Sequence, residues 1–558
     1  MQCSNAGDDS ISGNAGANIL NGNGGSDSLF GEGGDDVLIS DGVDVVLDGG
    51  EGVDTVNFSN IAGSGINIDL DTNTPQPGPA TQIGAAELFD GDNAIDNNPV
   101  QVVDVENVIG TNQNDRIFGN NEINVLDGLG GDDVFHSFGG ADFINGGEGT
   151  DTVLFSAGGA VTIDLDDNGD AVASVGDTLT SIENITGSAS GDDSISGNAG
   201  ANVLNGNGGS DSLFGEGGDD TLVSDGIDTI LDGGEGVDTV DFSGVTGSGI
   251  NIDLDTNTPQ PGPATQTGAA ELFDGDNAID NNPFDVIDVE NVIGTDQNDR
   301  IFGNNEVNVL DGGAGDDTFH SFGGSDFVNG GEGTDTVLFS AGGAVTIDLD
   351  DNGDAVASVG DTVTSIENIT GSAAGDDTIS GNASVNVLNG NGGNDTLNGE
   401  GGDDTLIGGA GSDTFVETEG SGADTVTDFA IADDVIDVAG HGLTAAEALA
   451  LAVDNAGDAL IDFGGGDTLT LTGVAAGDLT EANFVGAAPA ASAAPEPLDL
   501  SDFPESFVSE QLINGPDEVT VSVQTAPAFD IDQVPEDLDL GLESPPAPLS
   551  GSDLGDSL

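Results

Sequence analysis

Aspartate recurs at a spacing of nine along much of this chain, and each one is followed two residues later by an apolar side chain. Asp9, Asn18, Asp27 and Asp36 keep the spacing, and Asp54 resumes it after Val45; Asp115, Asn124, Asp133, Asp142 and Asp151 form a second run. Asp193, Asn202, Asp211, Asp220 and Asp238 form the third, then Asp299, Asn308, Asp317, Asp326 and Asp335 the fourth. Asp377, Asn386, Asp395, Asp404 and Asp413 form the fifth. The apolar partners include Ile11, Leu20, Leu29, Leu38, Val56, Ile117, Leu126, Phe135, Ile144 and Val153. Stretches such as "GGEGVDTVN" and "GGEGTDTVL" follow the pattern G-G-x-G-x-D-x-U-x throughout.

Stacked aspartates repel one another unless a cation lies between them. Hard divalent ions take six to eight oxygen ligands from carboxylates and carbonyls, and glycine-rich turns expose carbonyls. Calcium suits such a site better than magnesium, which demands stricter octahedral geometry. Zinc and copper want His or Cys, and the chain holds three His and one Cys. The twenty aspartates of the five runs are therefore the expected metal ligands.

The elements that position them follow from the period. A nonapeptide with one apolar residue fits a short strand plus a tight turn, and two nonapeptides close one flattened coil. Such a coil buries little alone, so neighbours must stack. The expected fold is all-β, a tandem parallel β-roll (a β-solenoid) stabilised by calcium, with a small capping region and a disordered acidic tail. Longer repeats organise the roll. "GDDSISGNAGAN" at residue 7 returns at residue 191, and "GDDTISGNASVN" follows at 375, an offset of 184 each time. The expected domains are 1–190 (runs 4–57 and 110–154 plus β inserts), a near-identical 191–374, a partial run 375–416, a β-rich cap 417–486 and an acidic Pro/Ala-rich tail 487–558. In the cap, Thr444 and Glu447 are placed as a capping box for one short helix. "TNTPQPGPATQ" reads as a loop, and "SIENITGS" and "DVENVIGT" connect the runs.

These residues resemble the RTX (hemolysin-type) calcium-binding repeat family. The resemblance covers about residues 4–486 and implies a parallel β-roll with calcium between turns, bound by the repeat aspartates and by carbonyls of the "GG" and "GxG" positions. It also implies export by type I secretion machinery reading an uncleaved C-terminal signal, for which the tail is the candidate. Val45 and Thr229 depart from the pattern where an aspartate belongs. Asn18, Asn124, Asn202, Asn308 and Asn386 carry no charge, so those turns are expected to bind weakly or not at all.

Composition narrows the function classes. Two Lys+Arg against 105 Asp+Glu give a formal net charge of -103. Nucleic acid and anionic lipid need basic side chains, so neither is an expected partner. The N-terminal residues show neither a basic region nor an apolar run, and no segment is long enough to span a bilayer. No H-E-x-x-H or G-x-S-x-G motif is present, so no enzymatic activity is expected. "DLDDNGDAVASVGD" at 164–177 carries Ala171 where a calcium-binding EF-hand loop needs glycine, and reads as a β-turn. His136 and His320 are expected at the surface or an edge, and Arg116 and Arg300 beside carboxylates. The expected function is calcium binding by a secreted repeat protein that folds on extracellular calcium (about 10⁻⁴–10⁻³ M). Its role would be structural or adhesive at or outside a bacterial surface, with the cell-surface or carbohydrate partner unidentified. The alternative is the repeat portion of a larger secreted enzyme or toxin.

Overall fold

Ten residues into the chain the nonapeptide has already become a strand. Ser10–Asn14 lies parallel to Ser28–Glu32, with Ile11 opposite Leu29, and Ile19–Asn21 lies parallel to Val37–Ile39, with Leu20 opposite Leu38. Partners are eighteen residues apart, so successive nonapeptides alternate between two walls and two of them make one coil. The computed structural model describes residues 7–70, 100–156, 158–254, 285–339 and 343–488, together with the backbone of strands Ala85–Phe89 and Ala269–Phe273 and of residue 284. The "TNTPQPGPATQ" segment and the tail beyond 488 lie outside the described residues.

One apolar side chain per repeat strand forms the spine of the core, joined by others from the inserts and turns such as Phe58, Ile66 and Ile182. Leu29, Leu38, Val56, Leu126, Phe135, Val153, Leu213, Leu397 and Phe415 are each fully buried in one continuous cluster, while the residues flanking them in each strand are half-buried or exposed. That in-out alternation is the period-two signature of a strand with one buried face. The fold is thus a β-roll of mostly parallel strands in sheets of 18, 17, 8 and 6 strands. Antiparallel strands enter at the inserts and in the C-terminal cap. Ala85–Phe89 pairs antiparallel with both Gly65–Asp69 and Val100–Val103, and Ala269–Phe273 does the same 184 residues later. An insert that leaves a wall must run back before rejoining it, and the returning strand fills the row.

Each 184-residue unit contains an odd number of half-coils, so the walls exchange. Ser10–Asn14 belongs to the 18-stranded sheet, but its equivalent Ser194–Ser196 belongs to the 17-stranded sheet opposite. Meanwhile Val203–Asn205, equivalent to Ile19–Asn21 of the 8-stranded sheet, continues the 18-stranded one. At the junction the 8-stranded sheet ends in the antiparallel pair Ala171–Val172 and Thr178–Thr180, and Thr162–Asp164 opens the next sheet. Ala355–Val356, Thr362–Thr364 and Thr346–Asp348 repeat this device at the second junction. The "DLDDNGD" segment is a turn, with Asp166 Oδ1 accepting from the N–H groups of Asn168 and Asp170.

After residue 416 the strands lengthen. Ala423–Val426 pairs with Asp467–Leu471, which turns antiparallel to Asp458–Gly464. Helix Ala445–Leu451 starts at the capping box, in which Thr444 and Glu447 each bond the other's backbone N–H.

Candidate metal centre

The repeat aspartate sits where the chain enters each strand, its side chain turned into the roll. Asp133 is fully buried; its Oδ1 accepts the Asp115 N–H at 2.7 Å, and its own N–H donates to Asp151 Oδ1 at 2.7 Å. The same bond, one coil apart, joins Asp9 to Asp27, Asp36 to Asp54, Asp193 to Asp211, Asp220 to Asp238, Asp317 to Asp335 and Asp395 to Asp413. A ladder of carboxylates thus runs up each side, each Oδ1 in these pairs satisfied by the coil before it.

The second oxygen is different. Oδ2 of Asp27, Asp36, Asp54, Asp133, Asp142, Asp151, Asp211, Asp220, Asp238, Asp317, Asp335, Asp395, Asp404 and Asp413 is buried with no hydrogen-bond partner. A buried carboxylate oxygen left without a partner is costly, and polar groups in this state are rare. It repeats here in coil after coil. Burial, only partly offset by the Asp115 N–H, pushes Asp133 up to about 8; Asp317 rises equally, and Asp142, Asp220 and Asp404 reach about 7. The glycines explain the space around it. A Cβ on Gly128 would collide with Asp133 Oδ2 and with the Gly146 carbonyl oxygen, and a Cβ on Gly31 with Asp36 Oδ2 and the Gly49 carbonyl oxygen. Carboxylate and carbonyl therefore converge beside a backbone that only glycine keeps clear. Among the described residues no three acidic, His or Cys side chains form a shell. The donor set is one carboxylate per turn plus carbonyls, all oxygen, which fits a hard divalent ion.

Five expected ligands have both oxygens hydrogen-bonded. Oδ2 of Asp115, Asp193, Asp299 and Asp377 accepts from the N–H of Thr111, Ser188, Thr295 and Ser372, and that of Asp326 from Ser321 Oγ. Four of these begin a run, where a Thr or Ser replaces the glycine of the preceding turn. Asp9, the first, is half-buried.

The asparagine turns satisfy themselves. Asn124 Oδ1 accepts the Asn120 N–H, and its Nδ2 donates to the Glu106 carbonyl at 2.7 Å; Asn202, Asn308 and Asn386 do the same with Glu183, Glu290 and Glu367.

Several residues outside the nine-residue count also join the ladder. Val45 and Thr229 are not gaps. Asp44 and Asp228, one position earlier, turn inward instead; Asp228 Oδ1 accepts the Asp211 N–H, and Asp44 Oδ2 is another buried oxygen without a partner. Val45 is pushed outward to 49% exposure. Glu106, Glu183, Glu290 and Glu367 carry the ladder through the connectors, accepting from the N–H groups of Asp54, Asp151, Asp238 and Asp335. An acid two residues before a buried apolar residue was the usable signal, as in Glu106 before Val108. His136 and His320, expected at the surface or an edge, are described more closely by the structure. Each is half-buried and stacked on Phe118 or Phe302 at 4.0 Å, and burial lowers it to about 4. Arg116 and Arg300 lie over those same phenylalanines rings, at 5.6 and 5.4 Å from the centroid.

The fold is a repeat β-roll, and sequence comparison agrees. The family model of the RTX calcium-binding nonapeptide repeat matches residues 4–38, 109–153, 188–222, 288–337 and 372–415, so the chain carries these repeats in multiple copies. No curated protein matches. Solved structures that are similar include the extracellular lipase LipA of Serratia marcescens, 23% identical with a TM-score of 0.17; the match covers 35% of this chain and 39% of the lipase. The chain thus spans well under half of that protein's length.

Proposed function

We propose that calcium enters between the coils at the fourteen aspartates whose Oδ2 lacks a partner, joined by Asp44, and that the roll folds as the ions bind. The observation that carries this reading is the row of buried, unpartnered oxygens in a chain with no lysine and two arginines, both engaged over phenylalanine rings. No side chain here can neutralise the ladder, so its counter-charge comes from solution. An ion that binds only the folded form stabilises it by RT ln(1 + [L]/Kd), about 1.4 kcal/mol per site at ten times Kd.

In this reading the chain is unfolded and export-competent in low cytosolic calcium, leaves through type I secretion machinery, and folds outside. There it serves as a structural or adhesive element at or beyond the cell surface. Far-UV circular dichroism of the purified chain, titrated with calcium from zero to about 10 mM and with magnesium as control, tests it. A cooperative gain of β-signal specific to calcium is the expected result. A spectrum already β-rich in chelator and unmoved by calcium would sink the proposal.

A further inference from the structure

The two junctions of the roll are one junction built twice. Residues 158–187, which close the first unit, recur at 342–371 with only Leu179 changed, to Val363. The segments that dock on them, 188–206 and 372–390, differ at Ser190/Ala374, Ser194/Thr378, Gly200/Ser384 and Ala201/Val385. Pairing across the two junctions is the same. Ile163 meets Ile195 and Ile185 meets Leu204 at the first; Ile347 meets Ile379 and Ile369 meets Leu388 at the second.

The polar contacts that fix the register match as well. Asp193 Oδ1 accepts the Val161 N–H at 2.6 Å, and Asp377 Oδ1 the Val345 N–H at 2.7 Å. Asn202 Nδ2 donates to the Glu183 carbonyl, and Asn386 Nδ2 to that of Glu367. Asn198 and Asn382 donate in the same way to the Asp166 and Asp350 carbonyls, and the Val203 and Val387 N–H groups to Asn184 and Asn368 Oδ1. Of the positions that differ between the docking segments, only Ser194/Thr378 lies in a strand paired across the junction, beside the buried isoleucine rather than in its place.

A coil in a stacked roll touches only its neighbours. The coil that ends the first unit therefore offers 372–390 the same contacts that it gives 188–206. We propose that this end coil is a docking surface for residues 372–390 of the same chain, in competition with 188–206, so that folding yields, beside the full roll, a shorter one that bypasses the second unit. The proposal rests on the reading that calcium drives folding. Closing the chain around the bypassed residues is a small obstacle, because loop-closure entropy grows only slowly with length. The full roll has both junctions and the shorter one has a single junction, so the full roll is the more stable and the bypass is a product of rapid folding.

Disulfide trapping in the full chain reads the choice, with Cys3→Ser so that the one native thiol takes no part. Thr186 lies opposite Asn205 in the full roll; in the bypass it lies opposite Asn389, as Thr370 does in the full roll. Neighbouring strands are about 4.8 Å apart, within reach of a disulfide. Thr186→Cys with Asn205→Cys reports the full roll, and Thr186→Cys with Asn389→Cys reports the bypass. After calcium is added in one step and the thiols are oxidised, the second pair is expected to link in a fraction of single chains, a smaller one when calcium is raised slowly. Leu388→Ala is expected to lower that fraction about tenfold or more, and Leu204→Ala to raise it, since each removes a fully buried side chain from one competitor. A general loss of stability would move both variants the same way, and that result would overturn the proposal. A chain that gains β-signal in calcium but forms no 186–389 disulfide, or forms it only between two chains, would overturn the bypass and leave the calcium reading intact. A chain that gains no β-signal and forms neither disulfide would overturn both.

Discussion

Asn124 and Asp133 stand one nonapeptide apart, both buried, both at the entrance to a strand, and differ by one atom. The amide completes its own hydrogen bonds, donating to the Glu106 carbonyl. The carboxylate accepts the Asp115 N–H and is left with an oxygen that nothing among the described residues satisfies. In the proposed reading the asparagine turn is finished by the protein, and the aspartate turn by calcium from solution. Each of the five runs has one asparagine turn, at its second position. On the proposed reading, that arrangement would give a run one coil edge that holds without an ion and a stack beyond it that needs one.

The contrast is sharpest when no calcium is present. Asp133, Asp317, Asp142, Asp220 and Asp404 are raised above the ordinary unfolded carboxylate value of about 3.9. A raised value in the folded state means that folding takes up protons. That contribution is complete below about pH 4 and is lost as pH rises through 7–8. In chelator, β-signal is expected to rise as pH falls from 8 toward 5; a signal that falls on acidification would break the comparison. With calcium present the dependence flattens, because protons and calcium compete for the same oxygens.

Glycine substitution comes next. Gly128→Ala drives a Cβ into Asp133 Oδ2 and the Gly146 carbonyl, whereas Gly119→Ala, in the asparagine turn, meets only Asn124 Oδ1 at 2.7 Å. Overpacking costs about 1–3 kcal/mol, and Gly128→Ala also blocks the site. Calcium-dependent thermal melts are expected to show the larger loss for Gly128→Ala, and equal losses would refute the idea of a cradle. Asp133→Asn keeps the Oδ1 acceptor and removes the charge. It is expected to weaken the roll by about 1.4 kcal/mol in calcium and to leave it unharmed in chelator, read from the calcium midpoint of the dichroism. Asn124→Asp is the smallest change. Losing the donor to the Glu106 carbonyl costs about 1 kcal/mol, and calcium is expected to recover it; a loss undiminished by calcium would show that this turn cannot be converted.

Much of the site was legible in the chain. Aspartates at a nine-residue spacing, each two residues before an apolar side chain, gave the candidate ligands and the core together, since a strand entered at the acid must turn its second residue inward. Asp44 was missed because Val45 holds the nominal position; only the backbone shows the chain bulging so that the earlier residue points in. Glu106 and its three equivalents were hidden in connectors, where the glycines that mark a turn are absent. That Arg116 lies over Phe118 was not legible, because composition says nothing about which face of a strand the two side chains share.

The sequence by itself determined the coil, because nine residues with one apolar side chain and paired glycines leave the backbone few other ways to bury anything. It also determined that the counter-charge must come from outside, because that is a matter of counting. Tertiary structure alone decided which oxygens are left over, since a carboxylate's second oxygen is satisfied or orphaned by whatever the neighbouring turn places beside it: Thr111 at Asp115, Gly128 at Asp133. It alone decided, too, that near-identical units face opposite ways. The offset of 184 residues is plain in the sequence, but whether the inserts add an odd or an even number of half-coils depends on how they re-enter the wall.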